Sequence, residues 1–238
     1  MRVRYLLIAL VLFCISATAQ SSKPWTEWSQ KDAEKILNAS AWGQTFTQEP
    51  QGPVDTTVIT NTRAGMVGDR RGESGQPPVT KPTHYRARLL TAKPVREAFA
   101  RIVVLQQKDA APELVSQLQG FVDRDFGDYL VISFTVESED TKRMQGGMAV
   151  LGKLTGEILK EKVYLERADG KRATFIDYKP PIGDGMGAKF VFSRSLDGQP
   201  FLSEAVDSMR FVLHLSEKQK ITVKFMPDGM TYGGKLEY

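Results

Sequence analysis

A period of two in the apolar residues runs through the C-terminal part of the chain. The segments GAKFVFSR (187–194), SMRFVLHLS (208–216) and KITVKFMPDG (220–229) alternate apolar with polar positions. Such alternation predicts strands with one buried face. The side chains expected to face inward are Phe190, Phe192, Phe211, Leu213, Leu215, Ile221, Val223 and Phe225. A further hairpin is predicted at 162–181, where an Asp-Gly pair at 169–170 supplies the turn.

Helical spacing appears upstream of these strands. HYRARLLTA (84–92) predicts a strand, and KPVREAFARIVVLQQ (93–107) predicts a helix with Pro94 in its first turn. Glu97 and Arg101 are four residues apart, so we expect them to pair on the solvent side. The expected apolar face consists of Val95, Ala98, Phe99, Ile102 and Leu105.

A second helix and a buried strand follow. The helix is expected to begin near Pro112 and to stop at Gly120. Its inward residues are Leu114, Val115 and Leu118. DYLVISFTVES (128–138) is a continuous apolar run rich in β-branched residues, which is typical of a strand covered on both faces. This pattern predicts an α+β fold, with a helix pair beside a mostly antiparallel C-terminal part that is sandwich-like or strongly curved.

A short amphipathic helix is predicted near the N-terminus. Ser29 is placed as its N-cap, with Asp32 completing a capping box. At about three turns the helix is too short to be stable alone in water, so its apolar face must dock on something. All three tryptophans of the chain flank it: Trp25, Trp28 and Trp42. We expect these rings mainly to attach the segment to the main domain, and secondarily to offer a ligand-binding surface, since indole rings stack on sugars.

Composition divides the chain into four parts. Residues 1–19 read as a leader, 20–45 as the Trp-bearing helical segment, and 83–238 as the main α+β domain. Between them, 46–82 is rich in Gly, Pro and charge and predicts a linker or mobile loop. It contains one possible strand, at 54–60.

The first 19 residues have the pattern of a secretory signal peptide. Arg2 and Arg4 precede an apolar run that is shorter than the roughly 20 residues of a membrane span, and Ala17-Thr18-Ala19 predicts cleavage after Ala19. An alternative is lipid attachment at Cys14, although the bulky Phe13 before it disfavours a lipoprotein. We therefore expect a periplasmic or secreted protein with no transmembrane span after cleavage.

Removing the leader changes the composition. The only cysteine is lost, so no disulfide can form. Loss of two arginines lowers the formal net charge from +4 to +2. No run of Lys and Arg is long enough to follow a phosphate backbone, so we expect no nucleic-acid partner.

Two motifs offer weak candidates for binding chemistry. Gly183 to Gly187 form a glycine-rich loop that could bind phosphate, but a predicted strand follows it where a phosphate loop needs a helix N-terminus. His84 and His214 lie in separate predicted strands without metal-ligand spacing. We expect neither a metal site nor a cofactor.

The acidic residues offer the leading catalytic alternative. Asp123, Asp125 and Asp128 form the densest acidic cluster and could do acid–base work on a polymer substrate. Aspartate is also common as a turn and capping residue at such helix-to-strand junctions. Asp177 with Asp184 is a weaker second pair.

Three sequence segments are similar to segments of a known family. W-S-x-K-D-A-E-K-I-L-N-x-S-x-W-x-x-T (28–45), YKPP…GAKFVFSR (178–194) and the terminal MTYGGKLEY (230–238) resemble a family of uncharacterised secreted proteins of environmental bacteria. The resemblance implies export and carries over no activity and no site residue. The sequence thus favours a non-enzymatic binding or structural protein of the cell envelope, with an envelope glycan or envelope protein as partner. The alternative is a hydrolase of an envelope or extracellular polymer that uses the acidic residues.

Overall fold

The computed structural model describes residues 23–49, 81–217 and 219–238. The α-helices in this part of the chain are α1 (Gln30–Asn38), α2 (Lys93–Gln106), α3 (Pro112–Val122), α4 (Thr141–Lys153) and α5 (Gly156–Leu159). None of them is both long and apolar enough to cross a bilayer. The signal peptide, its cleavage site, Cys14 and the possible strand at 54–60 lie outside the described residues.

The strands are short and all of their pairings are antiparallel. In chain order they are β1 (Gly43–Gln48), β2 (Thr83–Leu89), β3 (Tyr129–Ser138), β4 (Val163–Arg167), β5 (Arg172–Ala173), β6 (Phe175–Lys179), β7 (Ala188–Ser193), β8 (Ser195–Leu196), β9 (Gln199–Pro200), β10 (Met209–His214), β11 (Lys220–Phe225), β12 (Thr231–Tyr232) and β13 (Lys235–Leu236). One sheet has the order β1-β2-β3-β7-β6, and a second has the order β11-β10-β4-β5. The predicted mixed α+β class is confirmed.

The inner faces of the two sheets share one aromatic core. Phe211 of the second sheet lies 5.9 Å from Phe134 and 5.3 Å from Phe190 of the first, measured between ring centroids. Rings at these separations attract one another beyond the effect of burial alone. All of the predicted inward residues of β7, β10 and β11 are buried except Leu215, which follows β10 and is half-buried. β3 is covered on both faces from Leu130 to Val136, as its composition predicts.

The hairpin at Asp169-Gly170 forms, but its second arm divides between the two sheets. β5 pairs with β4 for only two residues, and β6 pairs with β7 in the first sheet. The transfer occurs at Thr174, whose carbonyl accepts from the backbone N–H of Ser193 at 2.8 Å. Beyond it the ring of Phe175 packs on Phe192 at 5.7 Å, which holds β6 in the first sheet. A local turn signal does not reveal this change of partner.

The helix pair confirms some expectations and corrects others. α2 begins as predicted, with Pro94 in its first turn. α3 continues through Gly120 to Val122, so the prediction that Gly120 ends the helix was wrong. Glycine inside a helix costs only about 1 kcal/mol relative to alanine, which packing of the neighbouring turns can offset. Leu105, predicted to face inward, is 40% exposed near the end of α2.

The N-terminal segment is a helix followed by a strand. The capping box is confirmed, because Asp32 donates its N–H to Ser29 Oγ at 3.2 Å and Asp32 Oδ2 accepts the Ser29 N–H at 3.1 Å. Ala33 and Leu37 of α1 are buried, so the helix docks through its apolar face. β1 then extends to Gln48, so residues 46–48 belong to the sheet and not to the linker. The sequence of β1, GQTFTQ at 43–48, has Phe46 as its one large apolar residue and so does not show the alternation of a strand, which is specified by its ladder with β2.

Candidate functional site

The three tryptophans lie in the core. Trp25, Trp28 and Trp42 are 6%, 3% and 9% exposed. Each indole N–H donates a hydrogen bond: Trp25 to Gln119 Oε1 at 3.0 Å, Trp28 to the Lys23 carbonyl at 3.0 Å, and Trp42 to the Glu237 carbonyl at 2.7 Å. Packing therefore accounts for all three rings. Sugar stacking needs an accessible ring face, and this conformation presents little of any ring.

Two members of the acidic cluster have structural roles. Asp123 caps the C-terminal end of α3 and accepts from Lys93 Nζ at 2.8 Å and from Gln119 Nε2 at 2.6 Å. The hydrogen bond from Lys93 is the largest effect and lowers the pKa of Asp123 below its usual value. That carboxylate is thus poorly suited to donate a proton. Asp125 Oδ1 accepts the N–H of Gly127 at 2.8 Å, which closes a turn.

The glycine-rich loop joins two strands. Residues 180–187 connect β6 to β7, so no helix N-terminus stands behind the loop. Asp177 pairs with Lys179 at 2.7 Å, and Asp184 pairs with Lys189, so these two aspartates are engaged separately. Hydrogen bonding to Lys179 lowers the pKa of Asp177. The loop therefore lacks the aligned N–H groups of a helix-based phosphate site.

We expect Gly187→Ala to lower the free energy of unfolding by about 3 kcal/mol. Gly187 has φ +75°, and a Cβ there would lie 2.2 Å from the Phe134 carbonyl oxygen, so the backbone would have to shift. Gly185 is the matched control, since it also has φ +75° but has open space around it. Gly185→Ala should cost only the left-handed backbone strain, about 1 kcal/mol. Urea unfolding measures both, and equal losses would contradict the close approach to Phe134.

The histidines do not assemble a metal site in the described residues. His84 Nδ1 lies 2.9 Å from Thr47 Oγ1, across the β1–β2 ladder. His214 lies on β10 beside Tyr164, with ring centroids 6.5 Å apart. Nowhere in the described part of the chain do three His, Cys, Asp or Glu side chains come together as metal ligands.

A cavity of about 290 Å³ brings the third aspartate of the cluster together with an arginine. We call it the Arg194 pocket. Its lining residues are Asp128, Arg194, Ser195, Gly198, Gln199, Pro200 and Tyr238. The volume lies near the lower end for small-molecule sites, and most of the lining residues are exposed, so the pocket is an open depression on the surface.

Short backbone contacts fix the frame of the Arg194 pocket. The Arg194 N–H donates to the Asp128 carbonyl at 2.8 Å, and the Phe201 N–H donates to the Arg194 carbonyl at 2.8 Å. Between them, the β8–β9 hairpin turns through Asp197 at φ 53° and Gly198 at φ 75°. These bonds place both charged residues on ordered backbone at the end of the first sheet.

Tyr238 forms the floor of the Arg194 pocket. Its ring is buried, and its hydroxyl donates to the Leu202 carbonyl at 3.2 Å. The guanidinium of Arg194 lies over this ring, with Cζ 4.5 Å from the centroid. A cation at this distance is attracted to the face of the ring, which orients the guanidinium.

The charged side chains of the Arg194 pocket form no hydrogen bond or ion pair within the described residues. The guanidinium of Arg194 makes no side-chain hydrogen bond or ion pair there, and neither does the carboxylate of Asp128. Arg194 therefore keeps its donors available in the planar arrangement that binds a carboxylate in bidentate fashion. The sequence singled out Asp128 but not Arg194 or Tyr238, because they lie far apart in the chain and share no local motif.

A second group of charges lies buried between α2 and the C-terminal hairpin β12–β13. The predicted pair of Glu97 with Arg101 was wrong: Glu97 is only 6% exposed and accepts from the Tyr232 hydroxyl, whereas Arg101 Nε donates to the Trp28 carbonyl. Tyr232 also packs edge-on against Trp42 at 6.4 Å. Burial raises the pKa of Glu97 above its ordinary value of 4.5, and burial together with Glu97 raises the pKa of Tyr232.

We expect the stability difference between the native protein and Glu97→Gln to depend on pH. Because the folded-state pKa of Glu97 is raised, its favourable contribution is complete below its ordinary value of 4.5 and is lost as pH rises through the folded-state value. The Gln variant keeps an acceptor for Tyr232, so it should gain stability relative to the native protein from pH 4 to pH 8.

Denaturant unfolding at several pH values measures this difference. In Tyr232→Phe, loss of the hydrogen bond that favours the ionised carboxylate should raise the pKa of Glu97 further and steepen the pH dependence. A native-to-Gln difference that stays constant with pH would contradict the raised pKa.

Comparison with known proteins gives little further information. No protein-family model matches the chain, and no curated protein matches it. The chain has a limited structural similarity to a novel protein of unknown function from Burkholderia pseudomallei K96243, known from a crystal structure. The two are 12% identical over 60% of this chain and 75% of that one, with a TM-score of 0.38. A similarity of that size supports no inference about function, so the residues of the Arg194 pocket carry the functional argument.

Proposed function

We propose that the chain is an exported, non-enzymatic binding protein of the bacterial cell envelope and that the Arg194 pocket is its ligand site. The observation that carries this proposal is the pair of charged side chains, Arg194 and Asp128, that line one pocket without a side-chain hydrogen bond or ion pair in the described residues. A guanidinium is protonated at all ordinary pH values, so it serves as a fixed anion-binding group and not as a base.

The arrangement of the acidic residues supports binding over catalysis. Asp123, Asp177 and Asp184 are each paired with a lysine. General acid–base work requires a carboxyl group whose pKa lies near the working pH, and the pairing lowers the pKa of Asp123 and Asp177. Asp128 remains next to Arg194, where a carboxylate can accept hydrogen bonds from a ligand.

The proposed body of the protein is a closed, sandwich-like pair of sheets. Gln219, at the start of the second sheet, donates to Gln48 Oε1 of the first sheet at 2.9 Å and to the Tyr85 hydroxyl at 2.6 Å. Phe211 joins the inner faces. Such a body would hold the loops of the Arg194 pocket rigid, which favours binding because little conformational entropy is lost.

Export is the second part of the proposal. Its support is the basic start, the apolar run and the small residues at 17–19. Mass spectrometry of the protein isolated from fractionated cells tests it, and we expect a mature N-terminus at Gln20 in the periplasmic or culture fraction. Intact residues 1–19 on protein in the cytoplasmic fraction would overturn it.

The binding function is tested by thermal shift of the mature protein against envelope-derived small molecules and oligosaccharides. We expect at least one compound to raise the melting temperature of the native protein but not of Arg194→Ala. The same mixtures are analysed by chromatography. Turnover of any compound that disappears in Asp128→Asn would overturn the non-enzymatic assignment, and shifts that persist in Arg194→Ala would overturn the site.

A further inference from the structure

The charges of the Arg194 pocket indicate which class of ligand it takes, and this inference rests on the proposed function. Among the side chains that line the pocket of about 290 Å³, Arg194 is a cation and Asp128 is an anion. We propose that it binds a small zwitterion with a carboxylate at one end and an ammonium group at the other, such as a free amino acid.

The cationic side of the pocket selects a carboxylate. One face of the Arg194 guanidinium is occupied by the Tyr238 ring at 4.5 Å, so its N–H edges are the part available to a ligand. Those edges match a planar carboxylate, which accepts two parallel hydrogen bonds. A phosphate dianion fits less well, because Asp128 in the same cavity would repel its second charge.

The anionic side of the pocket selects a donor. Asp128 accepts no hydrogen bond through its side chain within the described residues, and its backbone carbonyl is already used by Arg194. An ammonium group would neutralise its charge, just as the ligand carboxylate neutralises Arg194. A ligand with only one of the two groups gains the attraction of only one protein charge, which is the basis of discrimination.

The size of the cavity also favours a compact ligand. Ser195, Gly198 and Pro200 come from the tight β8–β9 hairpin, whose turn at Asp197 and Gly198 has positive φ. Together with Gln199 they form the side of the pocket that the hairpin contributes. We therefore compare the affinities of amino acids with increasing distance between carboxylate and ammonium. The tightest binder shows which distance fits the pocket.

Isothermal titration calorimetry of the mature protein tests the proposal with glycine, β-alanine and 4-aminobutyrate. Propionate lacks the ammonium group and methylammonium lacks the carboxylate, so we expect both to bind at least about tenfold more weakly than the best zwitterion. Asp128→Asn should weaken the zwitterion about tenfold and leave propionate unchanged or tighter. Arg194→Ala should abolish binding of both.

Further probes separate this inference from the proposed function. Glucuronate carries a carboxylate with hydroxyl donors, and inorganic phosphate carries no ammonium. Tighter binding of either than of every zwitterion would overturn the ligand class while leaving a binding protein. No heat with any of these probes, together with no shift dependent on Arg194 in the envelope panel, would overturn both. Circular dichroism confirms that each variant is folded, and Asp128 is exposed, so Asp128→Asn should keep the fold.

Discussion

Replacing Phe211 by Ala is expected to lower the free energy of unfolding by about 3–5 kcal/mol. Phe211 is fully buried and lies within 5.9 Å of Phe134 and 5.3 Å of Phe190, ring centroid to centroid. Truncation would leave a cavity where the two sheets meet, and the rings on both sides would lose contacts. Guanidinium unfolding followed by circular dichroism gives the loss directly.

The Phe211 prediction has two controls within the same chain. Phe175 is half-buried and packs on Phe192 at 5.7 Å near the edge of the core, so Phe175→Ala should cost clearly less. Ile182 is 75% exposed on the loop between β6 and β7, and Ile182→Ala should change stability by less than about 0.5 kcal/mol. A loss for Phe211→Ala no larger than that for Phe175→Ala would contradict a core shared by the two sheets.

The second large effect is expected at Arg96. Its buried guanidinium donates to the backbone carbonyls of Val122, Leu90 and Thr91, and Cζ lies 5.3 Å from the Phe126 ring centroid. It thereby joins the start of α2 to the turn before it and to the end of α3. Burial lowers the pKa of Arg96, which marks the desolvation that these hydrogen bonds offset.

We expect Arg96→Ala to destabilise the protein by about 3–5 kcal/mol, because it leaves several buried carbonyl oxygens without a donor. Arg96→Lys keeps the charge but has a single nitrogen, so it should recover only part of the loss. Arg101→Ala, which removes one bond to the Trp28 carbonyl, is the matched comparison and should cost less. If Arg96→Ala and Arg101→Ala lowered the free energy of unfolding equally, the three carbonyl acceptors of Arg96 would contribute no more than the one acceptor of Arg101, which would contradict this prediction.

The features that the sequence predicted are those that local chemistry decides. The capping box at Ser29 needs only a partner three residues away, and Pro94 starts α2 because its missing N–H would be unpaired there in any case. The alternation in β10 and β11 is likewise readable, since the period of two places every second side chain in the core. These elements could be found without knowing the fold.

The features that were missed depend on partners far away in the chain. β1 is polar and becomes a strand through its ladder with β2, nearly 40 residues later in the sequence. Glu97 has the spacing of a surface ion pair, but its partner is Tyr232, 135 residues away. α4 contains three glycines, which lower its intrinsic helix propensity, and Gly147 lies so close to Val136 that a Cβ would be 2.6 Å from it. No local pattern contains that requirement.

The candidate site was predictable only in part. Asp128 was singled out because it belongs to a cluster of acidic residues. Arg194 ends a strand motif and Tyr238 ends a glycine-containing segment, and neither position signals chemistry. The β3–β7 ladder brings Asp128 beside Arg194, and the chain after β13 brings the Tyr238 ring against Arg194. Sites built from single residues of separate segments are invisible to motif-based reading.

The bond from Trp42 to the carbonyl of Glu237 has a consequence for how the chain acquires its structure. It joins residues 195 positions apart, and the Glu237 side chain also accepts the Lys93 N–H at 2.7 Å. During synthesis, the segment around Trp42 is made long before the segment around Glu237. The indole N–H of Trp42 therefore lacks its native acceptor until that later segment is present. Closing so long a loop is entropically costly and slow compared with forming local helices. Until then Trp42 stays without its final partner, whereas Trp28 finds its acceptor at Lys23 only five residues away, so Trp42 is the tryptophan that reports on this late step of folding.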